Sequence, residues 1–278
     1  MISGRHKIAV VAAIALSAVL TGSGEKARAQ VYGFSTIQTS SYTFTGATAS
    51  LSTTSSSDSA IVNGSGVVIT TGLPDVPEAF QGPEGKPLEN TFSAKGQTSP
   101  DYARGDALIA TPLASLATNA VAEAYLTSVG GASSAASMSV NVLFTVGTAG
   151  AVTIGFSYLD ALDLNNMDAS GGVVVASDSY NIVIKNNDHI TVFTSSPKTL
   201  NHNPSQDSMG ETLLQQAGTT SITTGVLPAG SYTATITTGS TVDLRQGVAS
   251  TVPEPGSLAM LGGIALTGAA GILRRRRA

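Results

Sequence analysis

The middle of the chain is a series of short runs in which apolar or β-branched residues alternate with Ser and Thr, separated by glycine-containing turns. A period of two is typical of a strand with one buried face. Thr and Val favour strands, whereas Gly and Ser favour turns. The runs lie at 40–54, 64–72, 120–129, 137–147, 150–164, 171–186, 189–196 and 227–244. About eight strands spaced in this way predict a mainly β protein, an antiparallel β-sandwich or jelly roll.

Two pairs of these runs are separated by turns short enough to predict hairpins. Ser137–Gly147 and Gly150–Leu164 meet at a short glycine-containing turn. Gly171–Asn186 and His189–Ser196 flank an Asn-Asn-Asp turn. Alternation interrupted by such turns is the usual hairpin signal.

One long stretch and two short ones differ from the strand pattern. Residues 72–106 are rich in Pro, Gly and charge, which predicts a long loop. Leu108–Leu126 is rich in Ala, and Asp207–Gly218 has an N-cap residue and a terminal glycine, so one or two short helices are expected there. The run 120–129 within the first of these also fits a strand, which is the interpretation we favour.

Composition excludes several classes of protein. The chain has 278 residues and no cysteine, so disulfides, thiol nucleophiles and thiolate metal sites are excluded. Between Val31 and Val252 there are 16 acidic and 6 basic residues, a net charge of −10 for the body. Nucleic-acid binding needs a basic stripe, so we expect no nucleic-acid partner.

The C-terminus has three parts in a fixed order. Pro253-Glu254-Pro255 is followed by 18 uncharged residues, Gly256–Leu273, and then by Arg274, Arg275, Arg276 and Arg277. A helix of this run would be about 27 Å long, enough to cross a bilayer core. The arginines would remain on the cytoplasmic side. The two prolines keep Glu254 extended just outside the membrane.

The N-terminus has the features of an export signal. Arg5 and Lys7 precede an apolar run of 13 residues, Ile8–Leu20, which is too short to span comfortably. The sequence Ala27-Arg28-Ala29 is an A-x-A cleavage pattern, which would leave Gln30 as the new N-terminus. The domains expected are therefore a signal peptide at 1–29, an extracytoplasmic β domain at 30–251 with the long loop at 72–106, and a tail at 252–278.

Together, these ends resemble the sorting signal of the PEP-C-terminal family of bacterial surface proteins. The body, through Asn90–Ile109 and the strands that follow, resembles one group of exosortase-dependent surface proteins. The resemblance implies a Gram-negative host that makes exopolysaccharide. It also implies that exosortase, an inner-membrane transpeptidase, cuts the tail close to Pro253-Glu254-Pro255. The protein would then pass transiently through the inner membrane to the cell surface or the extracellular matrix of a biofilm.

One cluster of oxygen ligands suggests a metal. Asp160, Asp163, Asn165 and Asp168 lie close together in the sequence, and Ca²⁺ takes six to eight oxygen ligands. The EF-hand pattern fails, because Met167 stands where an Asp or Asn is needed. The alternative is that these residues simply form turns. Ca²⁺ is the metal that this set suits best, and no other cofactor is expected.

Two further sequence features are candidate sites, and a third motif class is absent. His202 lies in a polar stretch and is expected to be an exposed loop histidine, with a metal or general-base role as the alternative. Arg104-Gly105-Asp106 matches an adhesion tripeptide in letters, but a charged turn is the favoured interpretation. The chain has no nucleophile elbow or phosphate-binding loop, and Pro197 spoils the one Ser-x-x-Lys match.

Two classes of function remain. The first is a non-enzymatic surface or matrix protein that contacts exopolysaccharide or copies of itself, with Tyr32, Tyr42, Tyr102 and Tyr125 as candidates for stacking on sugar rings. The second is a secreted enzyme that acts on exopolysaccharide through paired carboxylates such as Asp160 and Asp163. A permanently anchored single-span periplasmic protein is a further alternative. We favour the first and expect no catalytic residues.

Overall fold

Thirteen strands and two short 3₁₀ helices, at Leu113–Ser115 and Lys198–Leu200, form the structure in a computed structural model that describes residues 30–71, 74–82, 89–92, 101–168 and 171–247. The strands are β1 (Val31–Thr45), β2 (Thr48–Val62), β3 (Ser65–Thr71), β4 (Ala79–Gln81), β5 (Tyr102–Ala110), β6 (Ala117–Leu126), β7 (Gly130–Val146), β8 (Gly150–Asn166), β9 (Val173–Asn186), β10 (Thr191–Ser195), β11 (Ser205–Gln206), β12 (Gly210–Leu227) and β13 (Gly230–Gln246). The mainly β class is confirmed, with thirteen strands in place of about eight.

The strands form two antiparallel sheets that pack face to face as a β-sandwich. The first sheet has the order β12-β8-β1-β6-β5-β4. The second has the order β10-β9-β13-β7-β2-β3, with β11 paired to the free side of β9. Most consecutive strands lie in opposite sheets, so the chain crosses repeatedly between the two layers.

One predicted hairpin is wrong and the other is confirmed. β7 lies in the second sheet and β8 in the first, so the short turn between them is a corner between layers. Alternation and a glycine-containing turn fit a hairpin and a corner equally well, because both keep one face of each strand buried. β9 and β10 pair antiparallel around the Asn-Asn-Asp turn, as predicted.

Both predicted α-helices are wrong. Leu108–Leu126 contains the end of β5, a 3₁₀ helix and β6, and β6 confirms the strand favoured for 120–129. Most of Asp207–Gly218 belongs to β12, which pairs with β8 along most of its length. The Leu and Gln residues of β12 favour a helix, but this local propensity is weak and the pairing of β12 with β8 outweighs it.

The predicted loop at 72–106 contains regular structure. Ala79–Gln81 is strand β4, and Tyr102 begins β5. Only the end of the first strand, β1, fell within a predicted run (40–54), although β1 lies between β6 and β8 in the first sheet. The Asn63-Gly64 turn between β2 and β3 was also missed as a hairpin. Its backbone φ angles of 50° and 79° fit the left-handed conformations that Asn-Gly turns adopt.

The interior of the sandwich contains two apolar clusters. The larger one includes Phe144, Ile154 and Ile182, and the smaller one includes Leu162, Leu164 and Leu244. Buried polar residues stand between members of the two clusters on six strands. We call this the polar belt; it comprises Ser35, Asp58, Ser134, Asp160, Asp178 and Ser240. Buried polar groups need hydrogen-bond partners or counter-ions, so the polar belt is the part of the interior where a functional site is most easily recognised.

None of the helices in the described part of the chain has the length and apolar character needed to cross a membrane. The predicted signal peptide at 1–29 and the predicted spanning run Gly256–Leu273 lie outside the described residues.

Candidate functional site

The most unusual site lies at one end of the polar belt and is built from three parts of the fold. Asp160 projects from β8 of the first sheet, and Asp178 projects from β9 of the second. His202 belongs to the segment that follows β10 and lies against β9. We call Asp160, Asp178 and His202 the histidine cluster. Among the described residues it is the group of His, Asp and Glu side chains whose ligand atoms all lie within 4.8 Å of one another.

The three side chains meet at one nitrogen. His202 Nδ1 lies 3.0 Å from Asp160 Oδ2 and 3.0 Å from Asp178 Oδ2. It also lies 3.1 Å from Asp178 Oδ1. Both carboxylates are buried, whereas the imidazole side chain is 19% exposed. The cluster therefore has a closed inner side formed by carboxylates and an outer side that solvent can reach through the imidazole.

The backbone holds His202 in place. Its N–H donates to Asp178 Oδ1 at 2.9 Å, and its carbonyl oxygen accepts from the Asp178 N–H at 3.2 Å. Next to it, the Asn201 side chain accepts from the Tyr180 N–H at 3.1 Å and donates to the Tyr180 carbonyl at 2.9 Å. Leu200 is fully buried. The ring is thus positioned by an ordered segment, and the expectation of an exposed loop histidine is wrong.

Burial and like charge dominate the electrostatics of the cluster. Desolvation, followed by the charge of Asp178, raises the pKa of Asp160 to about 8. Two carboxylates in one buried site cannot both be ionised at low cost unless a cation is present. The site can therefore hold a proton or bind a metal cation.

The structure does not bring the four predicted calcium ligands together. Side chains alternate across a strand, so Asp160 faces the interior, whereas Asp163 and Asn165 face the outer side of the first sheet. Asp163 lies opposite Phe34 of β1, which belongs to a small outer apolar cluster. Asp168 follows the end of β8, where its N–H donates to the Asn166 side chain at 2.9 Å. The same alternation separates Asp160 from Asp163 as a catalytic pair.

A second group of buried charges lies on the outer face of the first sheet. Arg104 contacts Glu78 at 2.9 Å, Glu123 at 3.3 Å and Asp106 at 3.8 Å, and all four side chains are fully buried. We call these four residues the arginine cluster. Arg104 also donates to the Thr91 carbonyl and hydroxyl, at 2.5 and 2.7 Å. These contacts tie the segments around Glu78 and Thr91 to the sheet.

The arginine cluster excludes the adhesion interpretation of Arg104-Gly105-Asp106. The tripeptide lies within β5 rather than in a turn, and both charged side chains are inaccessible. The four tyrosines considered for sugar stacking are also unsuitable. Tyr42, Tyr102 and Tyr125 are buried, and the hydroxyl of the half-buried Tyr32 donates to Glu123 at 2.9 Å.

The predicted sorting and cleavage residues lie almost entirely outside the described residues. This holds for Ala27, Ala29, Pro253, Glu254, Pro255 and Arg274–Arg277. Gln30, the predicted new N-terminus, is exposed and directly precedes β1. Its carbonyl oxygen accepts from the Met167 N–H at 2.8 Å.

Sequence reasoning selected Asp160 but missed its true partners. Asp178 was not considered, since it is one of several polar residues in a strand, and His202 lies 24 positions further along the chain. A buried Asp on the apolar face of a predicted strand was the available signal. Asp160 and Asp178 each stand where an inward apolar residue is expected.

The fold and the cluster define an antiparallel two-sheet β-sandwich with a buried polar belt. No family model matches the chain, and no curated protein matches it. The chain is similar to two solved structures of infectious bursal disease virus, from the Gt and Gx strains, at 14% and 13% identity with TM-scores of 0.13 and 0.10. The matches cover 84% and 82% of this chain but 60% and 64% of the viral chains, so it spans less than two thirds of their length. At these TM-scores the similarity carries no functional argument.

Proposed function

We propose that this chain is an exported bacterial surface or matrix protein with a non-enzymatic role, sorted through its C-terminal tail by exosortase. The observation that carries this proposal is the order Pro253-Glu254-Pro255, spanning-length apolar run and Arg274–Arg277 at the end of the chain. In the proposal, residues 1–29 form a signal helix and the apolar run forms a transmembrane helix until the tail is cut. The β-sandwich is then delivered to the cell surface or the matrix.

Three features of the described residues support a structural role: the positions of the two carboxylates, the environment of the tyrosines and the exposed edge strand β12. Asp160 and Asp163, the pair considered for glycoside hydrolysis, lie on opposite faces of β8. Of the tyrosines considered for sugar stacking, three are buried and Tyr32 donates to Glu123. β12, by contrast, is the outermost strand of the first sheet and has 18 residues with Glu211 as its one charged residue. An edge of this kind presents unpaired backbone groups to another chain. Self-association by strand addition is therefore the contact that we favour over polysaccharide binding.

The sorting step is tested on the native protein. Intact mass and C-terminal peptide mapping of cell-surface and culture fractions are expected to show a chain that ends near Val252–Pro255. Replacing Pro253 and Pro255 by Ala should leave the tail attached, whereas Thr145→Ala on an exposed body position should not affect cutting. Retention of Arg274–Arg277 in the inner membrane of the wild type would show instead a permanently anchored periplasmic protein.

Self-association is tested by charge on the edge strand. Thr219→Lys places a lysine at an exposed position of β12, and Thr145→Lys places one at an exposed position of the internal strand β7. We expect the first change to slow assembly measured by light scattering several-fold, because an edge lysine opposes strand addition. Equal assembly of the two variants would exclude β12 as the contact.

A further inference from the structure

Asp160 is the residue from which this inference starts. It is fully buried, and its Oδ1 has no hydrogen-bond partner among the described residues. Its Oδ2 faces His202 Nδ1, which is shared with Asp178. A buried carboxylate oxygen without a donor costs free energy, so an orphaned oxygen beside a ligand-type nitrogen points to a missing partner.

The imidazole cannot balance the cluster by itself. Its Nδ1 carries at most one proton, yet it faces oxygens of two carboxylates. Metal ligands must be deprotonated, and in that state the three side chains together carry two negative charges in the interior of the sandwich. A divalent cation would cancel that charge and provide a partner for each carboxylate.

The spacing of the ligand atoms suits such an ion. Metal–ligand bonds of about 2.0–2.2 Å in a tetrahedral site place neighbouring ligand atoms roughly 3.3–3.6 Å apart. The two Nδ1–oxygen distances of 3.0 Å lie a few tenths of an ångström below this range. For these two pairs an ion requires only a small outward shift, and the carboxylate oxygens of Asp160 and Asp178 lie within 4.8 Å of each other. The partly exposed imidazole leaves a route for entry and for a solvent ligand at the remaining position.

Ligand chemistry selects the kind of ion. An imidazole nitrogen with carboxylate oxygens suits Zn²⁺ and related transition metals, whereas Ca²⁺ takes six to eight oxygens. The surrounding hydrogen bonds also fit a metal site. The His202 N–H donates to the Asp178 carboxylate, and the Asn201 side chain anchors the segment that carries His202 to the Tyr180 backbone.

We propose that Asp160, Asp178 and His202 form a structural binding site for a divalent transition metal of the Zn²⁺ type, which joins the two sheets to the segment that covers the β9 edge. The ion would link β8, β9 and the residues between β10 and β11. The bound metal stabilises the folded chain by mass action, because a preformed set of ligands does not exist in the unfolded state. This site is independent of the tail and of sorting.

The test uses the full-length chain without a histidine tag, purified in detergent and stripped of metal with a chelator. Zn²⁺ is titrated by calorimetry, and the melting temperature is measured with and without the ion. Asp160→Asn and His202→Gln are the site variants. Asp163→Asn on the outer face of the same strand and His189→Gln in the exposed β9–β10 turn are the matched controls.

We expect one Zn²⁺ per chain, a higher melting temperature with the ion, and affinity reduced by about 100-fold or more in both site variants. Both controls should bind as the wild type does. Co²⁺ in the wild-type chain should give the visible absorption of a tetrahedral site, a measurement that stands even if a variant fails to fold. No Zn²⁺ binding, equal binding by the site variants, or binding of Ca²⁺ in preference to Zn²⁺ would overturn the proposal.

Discussion

The arginine cluster and the histidine cluster differ in how the negative charge of their buried carboxylates is balanced. The arginine cluster buries three carboxylates on the outer face of the first sheet, and the histidine cluster buries two between the sheets. The guanidinium of an arginine is a permanent cation, whereas the imidazole of a histidine is not. The first cluster therefore carries its own permanent cation, and the second does not.

Hydrogen bonding separates the two clusters further. Glu123 Oε1 accepts from the Tyr32 and Tyr102 hydroxyls at 2.9 and 2.8 Å, and Asp106 Oδ2 accepts from the Asn90 N–H at 2.7 Å. Burial, and then the charge of Glu123, raises the pKa of both tyrosines, so the hydroxyls keep their protons and remain donors. Asp160 has no comparable donors. The comparison indicates that the ionised form of a buried carboxylate is stabilised best when hydrogen-bond donors and a permanent cation both surround it.

The largest effect is expected from removing the fixed cation. Arg104→Met leaves Glu78, Asp106 and Glu123 buried without their counter-ion, and breaking a buried ion pair in this way costs about 3–5 kcal/mol. Urea unfolding should show this loss, while the exposed Arg245→Met stays within about 0.5 kcal/mol of the wild type. A loss as small as that of the control would show that the arginine cluster contributes little to stability.

A pH dependence is expected at Asp58, the end of the polar belt nearest the arginine cluster. Burial first, and then the charges of Asp106, Glu78 and Asp75, raise its pKa to about 8, while the Ala107 N–H opposes the shift. Between about pH 4 and pH 8 the folded chain then binds more protons at this site than the unfolded chain does. The free energy of unfolding should therefore fall as the pH rises, by at most about 1.4 kcal/mol per pH unit for this one group.

The difference between wild type and Asp58→Asn isolates that contribution. Urea unfolding at several pH values between 5 and 8 should give a steeper decline for the wild type than for Asp58→Asn. Contributions from groups distant from Asp58 are common to both proteins and cancel in the comparison. Parallel curves would contradict a raised pKa at Asp58.

The histidine cluster should respond to loss of charge in the opposite direction. In metal-free protein above the raised pKa of Asp160, about 8, the carboxyl is ionised, and Asp160→Asn then removes a buried negative charge next to Asp178 and introduces a donor. We expect the free energy of unfolding to rise by about 1 kcal/mol, the size of a typical hydrogen bond gained. Destabilisation by the same amount as Arg104→Met would erase the contrast between the clusters.

The smallest effect tests the donors around Arg104. Thr91→Val keeps the shape of the side chain but removes the hydroxyl that accepts from Arg104 Nη2 at 2.7 Å. The loss expected in urea unfolding is about 1 kcal/mol, because the Thr91 carbonyl still accepts from the same nitrogen. The exposed Thr145→Val provides the control. A loss near that of Arg104→Met would place the main contribution in this hydrogen bond.

Some of this architecture could be predicted from residue patterns. Alternation identified β7, β8, β9 and β13 as strands, and the Asn-Asn-Asp turn predicted the β9–β10 hairpin. The same patterns gave the wrong neighbour for β7 and β8 and a helix in place of β12. Local sequence specifies which side of a strand is buried, but not which strand lies beside it.

For the site, the sequence drew attention to Asp160 but grouped it with residues close by in the chain. Asp163 and Asn165 point to the other side of β8, and the actual partners come from β9 and from the segment after β10. Their proximity depends on the packing of two sheets, which no short-range spacing encodes.

The sequence by itself determined the β class, through its Thr and Val alternation, and the pattern of its two ends on which the sorting hypothesis depends. Tertiary structure alone decided that Asp160 and Asp178 face each other across the sandwich and that His202 joins them. The physical reason is range. Strand propensity and terminal signals are read over a few neighbouring residues, whereas a buried charge cluster exists only once distant strands have packed.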